Sequence, residues 1–132
     1  MKTAADIQDF LIKLELPYEE PRPGTFVIQA ADGLDNIIVT LAGPVLVFRV
    51  KLMEIPKHRP ATDREELFRT LLELNATEMM HGAYGVEADS IVIGDALQLE
   101  NLDFNEFAAT IDDIALAVAS HMGRLAKFRE AA

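Results

Sequence analysis

Val45 to Met53 is the segment that most narrows the fold. Leu46, Phe48, Val50 and Leu52 fall at alternate positions and make one wholly apolar face, while Val45, Val47, Arg49, Lys51 and Met53 make a mixed one. Successive side chains of a strand point to opposite faces, so this pattern predicts a strand with one core face and one partly wet face. Such a strand needs neighbours. Thr25–Ala30 alternates with Phe26, Ile28 and Ala30 on one side, and Asn36–Leu41 does so with Ile37, Val39 and Leu41. Asp32-Gly33-Leu34-Asp35 supplies a hairpin turn and Gly43-Pro44 breaks the chain before Val45. Connections this short predict antiparallel pairing. A second hairpin is expected from Tyr84–Glu87, a tight Ala88-Asp89 turn and Ser90–Leu99.

Helical spacing fills the rest. Ile7, Phe10, Leu11 and Leu14 define a helix over Thr3 to Leu14, which leaves Ile12 off the apolar stripe and exposed. Pro17 stops it, and Pro21-Arg22-Pro23-Gly24 reads as a turn. After a polar loop from Glu54 to Ala61, Thr62-Asp63-Arg64-Glu65 reads as a capping box opening a helix that Asn75 ends in a left-handed conformation. Leu67, Phe68, Leu71, Leu72 and Leu74 cover more than half its circumference, so it should be buried on two sides. Asp103-Phe104-Asn105-Glu106 repeats the box before a last helix to about Arg129. At ~39 Å that helix outruns a small domain, so either one end reaches a partner or Gly123 bends it. The order is α-β-β-β-α-β-β-α: class α+β, an antiparallel five-stranded sheet with helices. At 132 residues the chain is read as one domain, 1–132.

Composition excludes more chemistry than it offers. With no cysteine there are no disulfides, thiolate metal sites or cysteine nucleophiles. The opening Met1-Lys2-Thr3-Ala4-Ala5-Asp6 has an acid where a signal peptide needs apolar residues. No apolar run approaches the ~18 residues of a membrane span, so a soluble, cytoplasmic protein with no membrane partner is expected. Twelve Lys and Arg against 22 Asp and Glu give a charge of −10, which disfavours nucleic acid. Six bases nevertheless gather in residues 49–69, a local basic stretch that suits a protein partner or is merely a solvated edge.

No catalytic constellation is legible. Glu78 and His81 could share a helix face, but two groups do not make a metal site, and His58 and His121 stand apart from them in the sequence. Ser90 and Ser120 lack the elbow of a nucleophile, and the seven glycines are scattered over turns. The expectation is no enzyme activity, no metal and no cofactor. Met53, Met79 and Met80 either adapt to apolar partners or fill core.

Four segments taken together resemble the type III secretion chaperone-like superfamily, which includes the Tir-chaperone and YbjN-domain families. They are Leu71-Leu72-Glu73-Leu74-Asn75, Gly82-Ala83-Tyr84-Gly85-Val86-Glu87, Ile91-Val92-Ile93 with Leu97-Gln98-Leu99, and Leu102-Asp103-Phe104-Asn105-Glu106-Phe107. The resemblance implies a small acidic cytoplasmic homodimer that binds an extended segment of a client protein and lacks catalytic residues. By position it makes Leu67, Phe68, Leu71 and Leu72 candidates for the core and dimer seam. Ile12, Val45, Val47 and Met53 become candidates for an outer, partner-facing patch. The alternative is a YbjN-type regulatory domain in signalling or stress response, with a regulatory partner in place of a client.

Overall fold

The computed structural model describes residues 1–29 and 36–129. Helix α1 (Ala4–Lys13) leads into strands β1 (Tyr18–Arg22), β2 (Thr25–Ile28), β3 (Ile37–Ala42) and β4 (Val45–Glu54). Helix α2 (Ala61–Thr77) follows, then β5 (Ala83–Glu87), β6 (Ser90–Gln98) and helix α3 (Phe104–Leu125), which ends in a 3-10 turn over Ala126–Phe128. The class is α+β with an antiparallel sheet, as the sequence predicts, but the sheet has six strands rather than five, in the order β1-β2-β3-β4-β6-β5. The added strand is β1, which occupies part of the expected turn around Pro21. It carries Glu19, Glu20, Pro21 and Arg22 outward and shows no apolar alternation; only backbone pairing to β2 marks it. Proline is tolerated there because β1 is an edge strand. The expected hairpin turn Asp32–Asp35 and Ala30 lie outside the described residues.

The apolar face read from Val45–Met53 is the floor of the core. Leu46, Phe48 and Val50 are buried with Phe26, Ile28, Val39 and Ile93, their registered neighbours on the same side of the sheet. All three helices cover this face, through Ile7 and Leu11, Leu67, Leu71 and Leu74, and the α3 stripe from Phe107 to Leu125. Phe107 links the layers: its ring centroid lies 5.8 Å from Phe48 on the sheet and 5.4 Å from Phe10 on α1. Each such buried side chain contributes roughly 1.5–3 kcal/mol relative to exposure.

Capping explains two helix starts and not the third. Thr3 and Asp103 both close capping boxes, with Asp6 and Glu106 reaching back to the cap backbone. Helix α2 departs from the expected Thr62 box: its N-cap is Pro60, which makes no side-chain cap bond, and Thr62 is already helical. Pro60 is extended at φ −55° and ψ 149°, and Arg59 pairs with Asp63 in the first turn at 3.8 Å. An acid there also suits the helix dipole. The far end of α3 does not project: Leu125 and Phe128 are buried, and Arg59 donates to the carbonyls of Lys127 (2.6 Å) and Arg129 (3.1 Å).

Candidate functional site

The sheet has a second face that the helices do not cover. Register places Val27, Ile38, Thr40, Ala42, Val45, Val47 and Ala96 on it, because paired residues of antiparallel strands share a side. Val45 and Val47 are half-buried and Ile38 is 42% exposed, an apolar strip across β3 and β4 beside Ala96 of β6. Arg49 borders the strip, and its guanidinium lies over Gly94. A Cβ at Gly94 would stand 2.6 Å from the guanidinium and 3.2 Å from the Phe48 carbonyl, so glycine is what makes the room. From there Arg49 reaches Glu87 at 3.5 Å.

Of the four residues expected on an outer patch, the structure brings two together. Val45 and Val47 share the uncovered face with Ile38, which the alternation of β3 could have revealed. Ile12 is 60% exposed but sits on α1, on the opposite side of the sheet. Met53 is a correction: it is only 7% exposed and belongs to the core. A β-bulge between Lys51 and Met53 inserts one residue into β4, which turns Met53 to the inner side and pairs it with Ile91.

Helix α2 is buried along one stripe, and its other side is open within the chain. Leu67 and Leu71 are enclosed by the chain's own core, so they are not a free seam; Phe68 is half-buried and Leu72 is 68% exposed. Val86 on edge strand β5 is also exposed. Asn75 does not terminate α2, which continues to Thr77. Its amide instead faces the backbone of Tyr84.

Tyr84 anchors a polar chain that the sequence did not reveal. Its hydroxyl lies 2.6 Å from Nδ1 of buried His121, and His121 Nε2 lies 3.6 Å from Glu78, which Arg124 also holds at 3.1 Å. Burial, and then the charge of Glu78, push the Tyr84 phenol from 10.0 up to about 12. The phenol therefore keeps its proton at neutral pH and shares a hydrogen bond with Nδ1 of His121. His81 pairs with Asp113 rather than sharing a helix face with Glu78, since it lies beyond the end of α2. His58 is exposed in the loop before α2. Each polar group in this chain is matched to another, an arrangement suited to holding β5 on α2 and α3. Among the described residues, no three His, Asp or Glu side chains group closely enough to hold a metal ion.

A family model described as CesT_Tir_1 matches residues 1–131. No curated protein sequence matches the chain. Among solved structures, YbjN, a proposed transcription regulator from E. coli, superposes with a TM-score of 0.68 at 14% identity, covering 93% of each chain. A chain of the heterodimeric ExoU-SpcU complex, from the type III secretion system of Pseudomonas aeruginosa, also gives 0.68. It is 17% identical, over 94% of this chain and 98% of that one. A chain of the HopA1-SchA chaperone-effector complex gives 0.56 at 15% identity, over 93% and 89%. At these identities the likeness is one of fold.

Proposed function

Because the chain belongs to the CesT_Tir_1 family of type III secretion chaperones, we propose that it is a non-enzymatic, cytoplasmic protein-binding module that holds an extended client segment. The observation that carries this reading is the uncovered sheet face. An apolar strip of Ile38, Val45 and Val47, bordered by Arg49, lies opposite a face fully occupied by helices. A contiguous apolar surface with a polar rim is the usual mark of a protein partner. The open side of α2, where Leu72 is exposed next to the half-buried Phe68, supports a homodimer seam, and a two-fold contact is the commonest way to cover such a side.

The test is capture from the source lysate by wild type and by Val47→Asp, with the mass of each eluted complex measured by light scattering. One dominant protein retained by a dimer of the wild type and lost from a folded Val47→Asp supports the reading. Equal capture by both removes the sheet face from it. The equal likeness to YbjN favours a second reading, a YbjN-type regulatory domain in signalling or stress response. Neighbouring genes for a secretion apparatus select the first, and their absence the second.

A further inference from the structure

Resting on the reading that the uncovered sheet face holds a client segment, we propose that this segment carries an Asp or Glu beside its apolar residues, recognised by Arg22. Arg22 stands opposite Thr25, Thr25 is registered with Thr40, and Thr40 with Val47. Directly paired residues share a side, so one row of the outer face runs from a guanidinium across two threonines to the apolar strip. Thr25 is only 6% exposed although no helix covers this face, and its Oγ1 accepts from Arg22 Nε at 3.3 Å.

That bond decides what the guanidinium has left to offer. With Nε engaged, the fork of Nη1 and Nη2 is its open edge. Among the described residues neither nitrogen makes a hydrogen bond, and Arg22 pairs with no carboxylate. Two other bases on this face are already answered, Arg49 by Glu87 and Lys51 by Glu54. Glu19 faces outward from the same strand but makes no ion pair with Arg22. Two parallel N–H groups match a carboxylate bidentately, which a lysine in this place could not do. A wholly apolar guest would desolvate the fork without pairing it, and a basic guest would be repelled. The bond to Thr25 holds the guanidinium beside β2, two strand spacings or about 10 Å from Val47 on β4. In an extended guest that crosses the strands, the acid therefore falls about three residues from the apolar side chain seated on Val47.

The experiment is selection of a phage-displayed random peptide library on the wild-type protein, followed by fluorescence anisotropy of the enriched peptides. Peptides with Asp or Glu about three residues from a large apolar residue are expected, and Val47→Asp should abolish their binding. Arg22→Gln, a change to an exposed side chain on an edge strand, should leave the fold intact and weaken binding about fivefold or more. Amidating the peptide's acid, Asp to Asn or Glu to Gln, should cost the wild type as much and the Arg22→Gln protein nothing, because the two groups act as one pair. Arg22→Lys should restore only part of the loss. If peptides bind and are lost with Val47→Asp, yet no acid is enriched or its amidation costs both proteins equally, the proposal is overturned and the client reading stands. No enriched peptide, or binding that survives Val47→Asp, overturns both.

Discussion

The side-chain amide of Asn75 takes both backbone polar groups of Tyr84: Nδ2 donates to the Tyr84 carbonyl at 3.0 Å, and Oδ1 accepts from the Tyr84 N–H at 2.7 Å. The amide thereby does for β5 what a further strand would do, at the one residue whose phenol also reaches α3. Replacing it leaves both backbone groups half-buried without a partner. Asn75→Leu should cost about 1–3 kcal/mol, a fall of several degrees in Tm, with faster amide exchange at Tyr84. An unchanged midpoint and exchange rate would mean that water substitutes for the amide.

Tyr84 also sets an alkaline limit. Its folded value of about 12 lies above the 10.0 of the free phenol, because burial and Glu78 disfavour the phenolate. The unfolded chain therefore releases this proton first as pH rises. The stability tied to it is fully present below about pH 10 and is lost on approach to pH 12. Urea midpoints followed across that window should fall more steeply for wild type than for Tyr84→Phe. Parallel curves would show that the phenol titrates normally.

Leu71 and Leu72 are adjacent in sequence and opposite in role. Leu71→Asp places a charge among core residues and should abolish folding. Leu72→Asp changes a side chain that is already mostly in water, so the fold should survive with stability altered by less than about 0.5 kcal/mol. If α2 is the homodimer seam, light scattering should report a monomer for the second variant. A folded Leu72→Asp protein with wild-type mass would exclude this face.

Arg59 fastens the 3-10 turn after α3 by two hydrogen bonds to carbonyls and an ion pair with Asp63. Its removal as Arg59→Ala should cost about 1–2 kcal/mol and expose the bond after Lys127 to trypsin. Lys127 is held independently by Glu66 at 2.9 Å, so the turn should loosen without α3 unwinding. Cleavage no faster than in wild type would show that Phe128 alone holds the turn.

At Gly94, even a methyl group conflicts with the Arg49 guanidinium and with the Phe48 carbonyl. Gly94→Ala should displace Arg49 from Glu87, seen as loss of contacts to the Arg49 side chain in NMR spectra. The cost should be about 1–2 kcal/mol, mostly from the carbonyl, because the exposed ion pair itself contributes little. Retention of the Arg49 contacts would show that the strands separate instead.

The parts of this fold legible in the sequence are those encoded by neighbouring residues. The alternation of Leu46, Phe48, Val50 and Leu52, and the Asp103–Glu106 box, each specify local geometry, and both are present. Strand β1 was not legible because Glu19-Glu20-Pro21-Arg22 has no apolar face; its partner β2, not its composition, makes it a strand. The inward turn of Met53 depends on a bulge opposite β6, thirty-odd residues away. Asn75 looked like a helix terminator since that is the local use of its amide, while its observed use depends on where β5 passes. Of the candidate site, Val45 and Val47 came from period alone. The polar chain from Tyr84 through His121 to Glu78 needs β5, α3 and the end of α2 side by side, which no local pattern states.

The sheet's two margins have a consequence for any guest. One is a strand of Glu19, Glu20, Pro21 and Arg22, interrupted by a bulge, and the other has its Tyr84 amide and carbonyl already claimed by Asn75. Neither invites a long incoming strand to extend the ladder. The sheet thus does not template an extended segment, or a second copy of itself, into a continuous sheet. Any segment laid across Ile38, Val45 and Val47 would be selected by its side chains rather than by backbone pairing.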